Sequence, residues 1–557
     1  LRKSNFFLLF LLGLFGCSSL SEKGIKTATK ADTIFYNGDI ITVDDQNRTV
    51  EAVAVKNGKI LFVGDYEEVM AYKGGKTHLF DLQGKALLPG FIDPHTHIAL
   101  TQLSLQGLQI NPKKCPTGEE ALKVLREEVK KGPVLALRYD PSLMKKPAQL
   151  GFKSLDAISN TVPILVINAS GHIAYGNRAA FKAANITNEA PNPTGGSFQR
   201  NKNGELTGIV FELPAIAMLL GGFPQMSQID FNKVAKDGAR YYAENGYTTV
   251  TDLALGLPLN TPLHHIESLK SAATRKDATV RIQGYVVYSM IDQLRALQAK
   301  NSEAFKILGV KIWSDGSLQG HTGALLKRYK DVDSFGTLNY TPNQLRDIVI
   351  NAHKQGFQVA VHANGDAAIK ETLYAYEHAL KASPAEDPRF RIEHATISDR
   401  ASFAKMKRVK ATPSFSVLHI YEWGEVFEDK ILGNPRAYEI DSLRTAKEFG
   451  VKFSINDDSL GSISPLFLMQ IALTRKMDNG RVLNSKQTIS IDDAIKALTI
   501  YPAWQSFREK EIGSIEVGKF ADFVLLDRNP KKVPSNQIST IKVLGTWLGG
   551  RRVKTTL

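Results

Sequence analysis

The two ends of the chain read as short strands. Apolar runs at 34–36 and 40–43 flank Asn37-Gly38, and runs at 52–55 and 60–63 flank Lys56-Asn57-Gly58-Lys59. Asn-Gly between β-rich runs favours a hairpin turn, because both residues accept positive φ at little cost. The other end is similar: 521–527 and 541–553 are β-rich, with Gly549-Gly550 as a turn. The pattern predicts one small β-sandwich domain assembled from residues 31–85 and 510–557.

Between the ends, strand-length apolar runs alternate with helical periodicity. The strand candidates are 86–92, 248–252, 281–288, 310–314, 358–362, 390–394, 409–413 and 451–457, with helical patterns such as 343–354 and 367–381 between them. Strands separated by helices predict an α/β fold with a parallel sheet, and eight strands close a (β/α)8 TIM-like barrel, here spanning 86–509. One interval breaks the rhythm. About 150 residues separate the first two strands, where a βα unit takes about 30. Residues from about 99 to 226 therefore form a large insertion after the first strand, with its own strand at 163–169 and a Gly/Pro/Asn-rich stretch at 185–204.

The 557 residues are 43% hydrophobic and 23% charged, the balance of a folded protein too long for one core. Lys and Arg number 70 against 56 Asp and Glu, a formal charge of +14. The excess is spread among carboxylates along the whole chain, with no basic stripe or aromatic platform, so no nucleic-acid partner is expected. Two cysteines, Cys17 and Cys115, exclude a disulfide framework and a cysteine-built zinc site. Arg2 and Lys3 precede an apolar run at 6–15, followed by Gly16-Cys17-Ser18-Ser19. Ten residues reach about 15 Å as a helix, half of a bilayer core, so the run reads as the export signal 1–16 rather than a span. Leu14-Phe15-Gly16-Cys17 resembles the lipobox of bacterial lipoproteins. That resemblance implies a lipidated Cys17, a tether over 17–30, a formal charge of +12 after cleavage, and a chain anchored on a membrane of the bacterial cell envelope.

Of twelve histidines, four stand at the C-terminal ends of barrel strand candidates. His95 and His97 lie in Pro89-Gly90-Phe91-Ile92-Asp93-Pro94-His95-Thr96-His97, His362 ends 358–362, and His394 ends 390–394. Asp457 ends 451–457. In a barrel these ends converge on one mouth, where active sites of this fold are built. Residues two apart on a strand share a face, so His95 and His97 aim at one ion. Imidazoles with a carboxylate form a ligand set for Zn²⁺ and similar divalent metals.

These residues resemble the amidohydrolase superfamily, and within it the amidohydrolase 3 type that includes N-substituted formamide deformylases. The resemblance runs over nearly all of 31–553 and rests on the segments 88–97, 204–212, 310–318, 361–366 and 512–522. It implies that His95, His97, His362 and His394 bind one or two divalent ions, most simply zinc. It implies that Asp457 binds metal and takes the proton of the attacking water. Lys311 falls where many relatives carry a lysine carboxylated by CO₂; the alternative is a salt bridge to Asp315. Glu212 could supply a carboxylate in place of Lys311 or beside it, and His172 matches a substrate-contact segment. Two positions depart from the family pattern: Asp458 follows Asp457, and Thr412-Pro413 stands where Gln-Pro is common. The implied activity is metal-dependent hydrolysis of a C–N bond in a small amide, formamide or cyclic amide. The alternatives are a deaminase or C–O hydrolase on the same scaffold, or a surface-binding lipoprotein without catalysis.

Overall fold

The computed structural model describes residues 29–223, 229–257, 261–458 and 464–554. The segment expected to be an export signal, Cys17 and nearly all of the expected tether lie outside the described residues. Eight parallel strands follow one another in chain order: β1 (Phe91–Thr96), β2 (Tyr247–Leu255), β3 (Arg281–Val287), β4 (Phe305–Trp313), β5 (Gln358–Ala363), β6 (Phe390–His394), β7 (Ala411–Phe415) and β8 (Ser454–Ile455). β8 comes back against β1, so the barrel is nearly closed. Residues of β2, β3, β5 and β6 are buried throughout, as strands covered on both faces must be. The predicted helices appear as Pro342–Lys354 and Asp366–Ala382. Thr341 and Gln344 cap the first of these reciprocally.

The first strand differs from expectation. The run 86–92 breaks at Gly90, so that Ala86–Pro89 belongs to another sheet and β1 begins at Phe91. A Cβ on Gly90 would collide with the Thr248 side chain, so glycine alone lets the chain pass from one sheet to the other here. The later start puts His95 inside β1 and His97 at the N-cap of the helix α1 (Ile98–Gln106).

A second sheet draws strands from both ends. Its order is Arg551–Arg552, Val543–Leu548, Phe523–Leu526, Ala86–Pro89, Thr33–Ile41, Thr49–Lys56 and Lys59–Gly64, with His78–Asp81 also on Thr33–Ile41. Asn57 and Gly58 form the expected turn at positive φ, with Lys56 paired to Lys59. Asn37-Gly38 does not. Thr33–Ile41 runs through it as one strand, with an irregularity that moves its parallel partner from His78–Asp81 to Ala86–Pro89. A third sheet of six strands lies between β1 and β2 in the chain, including Val134–Tyr139, Ile164–Asn168, Ile173–Gly176 and Leu206–Phe211. The largest apolar core fills the barrel and its helices, while separate clusters serve the other two sheets.

Candidate metal centre

His95 is held from behind. Its Nδ1 lies 2.9 Å from Glu393 Oε2. Glu393 in turn accepts Arg391 Nε at 2.7 Å and Nη2 at 2.9 Å, and Arg391 also donates to the Pro94 carbonyl at 2.9 Å. The carboxylate can only accept when ionised, so the His95 proton sits on Nδ1 and the Nε2 lone pair is left free. That Nε2 is 3.3 Å from Lys311 Nζ and 3.7 Å from Asp458.

His394 is fixed by the same logic through neutral groups. Ser416 donates to Asn456 Oδ1 at 2.7 Å and stands 2.7 Å from His394 Nδ1, which therefore donates to it. Asn456 is itself tied to Ser414 at 2.8 Å. The remaining nitrogen of His394, Nε2, lies 3.6 Å from Asp458. His362 turns the other way: its Nε2 stands 3.1 Å from the Gly316 carbonyl and 3.1 Å from the Asn364 amide nitrogen, which itself donates to that carbonyl at 2.8 Å. His97 Nε2 lies 3.4 Å from Asp458 Oδ1, and its Nδ1 is buried with no hydrogen-bond partner among the described residues.

This donor set fits a divalent metal. One ligand atom each from His95, His97 and Asp458 lies within 4.8 Å of the others, and His362 and His394 pack against this group. Burial pushes the imidazoles of His95, His362 and His394 well below the usual range and that of His97 to about 3, helped by the Lys311 charge. All four are neutral at neutral pH, the state in which imidazole binds metal. Burial also lowers the Lys311 ammonium to about 8 and lifts the Asp458 carboxyl to about 7.

The expected residues are distributed as follows. Lys311 is fully buried beside His95. Asp315, its alternative partner, instead accepts backbone N–H from Ala324, Asn364 and Gly365 at 2.8 to 2.9 Å. Among the described residues Lys311 and Asp315 form no ion pair. Asp457 borders the mouth and is close enough to Tyr242 and Tyr247 to help raise their phenols. The carboxylate that reaches the histidines is that of Asp458. Glu212 stands one step back, its Oε2 2.7 Å from His172 Nδ1. Burial alone would lower the His172 imidazole, but the Glu212 carboxylate raises it above its usual value. His172 packs on His362 with ring centres 4.7 Å apart. Thr412 bonds to the Lys452 carbonyl and to Gln505.

Sequence reasoning missed Glu393, Ser416 and His419. Glu393 had a signal, since Arg391 and Glu393 are two apart on a strand whose neighbours are all apolar or ligating. Ser416 and His419 had none, because β7 and its loop meet β6 only in three dimensions. Backbone strain gathers at this mouth. Glu212, His394, Ala395 and Asp458 take left-handed φ of 68°, 70°, 48° and 41°, and Arg138 takes 66°. Two small cavities adjoin the ligands. One of about 60 Å³ is bordered by His95, His97, Lys311 and Asp458, and another of about 50 Å³ by Arg138, His172, His419 and Glu422.

A profile of the amidohydrolase family matches residues 78–554. The chain is 26% identical over 538 residues to N-substituted formamide deformylase of Arthrobacter pascens, covering 93% of this chain and 97% of that protein. It is 28% identical over 544 residues to the protein LONG AFTER FAR-RED 3 of Arabidopsis thaliana, covering 94% and 91%. Its fold is similar to the crystal structure of an uncharacterized metal-dependent hydrolase from Pyrococcus horikoshii OT3. That likeness has a TM-score of 0.71 at 22% identity, covering 90% of this chain and 99% of that one.

Proposed function

The chain belongs to the amidohydrolase family, and on that premise we propose that it cleaves the C–N bond of a small linear or cyclic amide, formamides included, with Asp458 as general base. His95, His97, His362, His394 and Asp458 would hold one or two divalent ions, with Lys311 beside His95 as an amine or, after reaction with CO₂, as a carbamate. Bound there, an ion such as Zn²⁺ supplies a Lewis acid that brings the pKa of water from about 15.7 to about 7 and polarises the carbonyl. Glu393 and Ser416 keep the imidazoles of His95 and His394 in the tautomer that turns Nε2 toward the metal centre. Asp458 takes a proton from the attacking water and returns it to the leaving nitrogen. His172, which the Glu212 carboxylate biases toward its protonated form, donates to the carbonyl oxygen as negative charge develops there.

The observation that carries this reading is the Asp458 carboxylate, 3.4 to 3.7 Å from three imidazoles whose other nitrogens are buried. The test is a panel of N-acyl amides, formamides and cyclic amides, assayed before chelation, after it, and after return of Zn²⁺. Hydrolysis that disappears with the metal and returns with it is expected; full turnover by metal-stripped enzyme would sink the reading. Ammonia release from amino-heterocycles without amide turnover would replace it with deamination. Carbamate formation at Lys311 predicts a bicarbonate-dependent ¹³C resonance that Lys311→Ala abolishes.

The same reading extends to organisation and location. The expected boundary at 86 moves: residues 31–89 and 510–557 are proposed as one composite β unit beside a barrel that begins at Phe91, with the insertion at about 99–226. Residues 1–16 are proposed as an export signal and Cys17 as the lipid anchor, on the basic, apolar and small-residue order of that segment. Among the described residues no helix is long and apolar enough to cross a membrane. Palmitate labelling present in the natural chain and absent in Cys17→Ser is the expected result; equal labelling would refute the anchor.

A further inference from the structure

Three elements next to the metal centre each present apolar side chains to one cavity. Leu100 and Leu103 lie three apart on α1, on one face. Leu213, Ile216 and Leu220 repeat at the same helical spacing along α2 (Leu213–Gly221). Leu135 and Leu137 share a face of the strand Val134–Tyr139. Together they enclose a cavity of about 300 Å³ whose polar border is small.

This cavity adjoins the ligand set. Leu100, Gly171 and Leu213 line both it and the space bordered by His95, His97, Lys311, His362, His394 and Asp458. Gly171 has a φ of 73°, and no atom stands within 4 Å of where its Cβ would be, so no side chain is packed at this shared wall. Opposite, the mouth is polar, with Arg138, His172, Gln319 and His419. An amide group at the metal centre therefore has a hydrocarbon compartment on one side and hydrogen-bonding groups on the other.

Protein interiors leave few voids larger than a water molecule, and unfilled aliphatic volume is destabilising. Apolar cavities stay dry and take apolar guests. The size is that of a small-ligand pocket, at the lower end of the usual range of about 300 to 1,000 Å³. We propose that this cavity binds a hydrocarbon substituent, several carbons long, attached directly to the scissile amide. The proposal rests on the amide-hydrolase reading and adds the class of substrate: amides with one apolar arm and one small or polar arm. The arm belongs either to the acyl or to the amine half, and the same cavity chemistry serves both.

Two substrate series decide it. N-methyl amides of formic, acetic, butyric and hexanoic acid lengthen the acyl arm; N-methyl, N-butyl and N-hexylformamide lengthen the amine arm. In one series kcat/KM should rise at least about tenfold from the shortest to the longest member, within the gain a hydrophobic pocket gives per methylene. Leu135→Trp and, separately, Leu103→Phe fill the cavity and should cut the long-to-short ratio at least about tenfold, with thermal midpoints recorded to confirm folding. Hexanoate and hexylamine, titrated calorimetrically into the protein, give a readout independent of turnover, and one of them should bind and lose binding in these variants. Turnover of the shortest amides with flat series on both arms would overturn the cavity assignment and leave the hydrolase standing. No turnover of any member would sink the hydrolase reading; the cavity would then stand or fall on the titrations, and binding of neither ligand would overturn it.

Discussion

Asp457 and Asp458 share a peptide bond and face different neighbours. Asp458, with a left-handed φ of 41°, has its carboxylate near His95, His97 and His394, while Asp457 contributes to raising the phenols of Tyr242 and Tyr247. A carboxylate 3.4 to 3.7 Å from three imidazoles is placed to take a proton from a water at their centre and to return it. Asp458→Asn should therefore lower kcat by about 10² to 10⁴ at saturating metal, whereas Asp457→Asn should cost less than about tenfold. Steady-state kinetics with metal content measured in parallel checks this; the opposite ranking would give the base to Asp457. Both aspartates were visible in the sequence. Adjacent identical residues carry no pattern along the chain that reveals which of them reaches the histidines.

At the scale of elements, the loop between Thr33–Ile41 and Thr49–Lys56 shows how a connection is held. Asp44 accepts the Arg48 backbone N–H at 3.0 Å and its Nε at 2.6 Å. Burial alone would raise the Asp44 carboxyl, but these bonds and Thr42 hold it below its ordinary 3.8. A carboxyl with a depressed folded pKa stabilises the fold above its unfolded value and stops doing so as pH falls through the folded one. Asp44→Asn should cost about 1 kcal/mol at neutral pH, and the gap to the parent should close below pH 3.8. Urea midpoints across the acid range measure it, and a gap that widens with acid would contradict the assignment. Turn chemistry was legible at Asn57-Gly58, where two adjacent strands pair directly. It misled at Asn37-Gly38, because a strand that changes partners also needs a positive-φ residue.

For the whole molecule, one buried ion pair joins the terminal sheet to the barrel. Arg281 at the start of β3 reaches Asp522 through Nε at 2.7 Å and Nη2 at 3.2 Å, and stacks on Phe520 at 3.8 Å. Asp522 also accepts the Gly549 N–H at 2.7 Å, which ties in the C-terminal turn. Removing one partner of such a pair leaves a buried charge alone, so Asp522→Ala should destabilise by about 3 to 5 kcal/mol. Equilibrium unfolding tests this, and a change within about 0.5 kcal/mol would mean that the two units do not depend on the pair.

The sequence by itself determined the alternation of strand and helix, the long interval between the first two barrel strands, and the histidines near the ends of β1, β5 and β6, because these follow from local periodicity and from residues fixed to particular elements. The broken first strand was within reach only in part: Pro89-Gly90 is visible, but the collision with Thr248 that demands glycine is not. The tertiary structure decided which aspartate lies near the histidines, which nitrogens of His95 and His394 are held from behind, and where apolar side chains gather around one cavity. Each of these depends on groups far apart in the chain, such as His95 with Glu393, Glu212 with His172, and Leu100 with Leu213. Separations of that kind leave no period along the chain, and only closure of the barrel around the mouth brings them within a few ångströms.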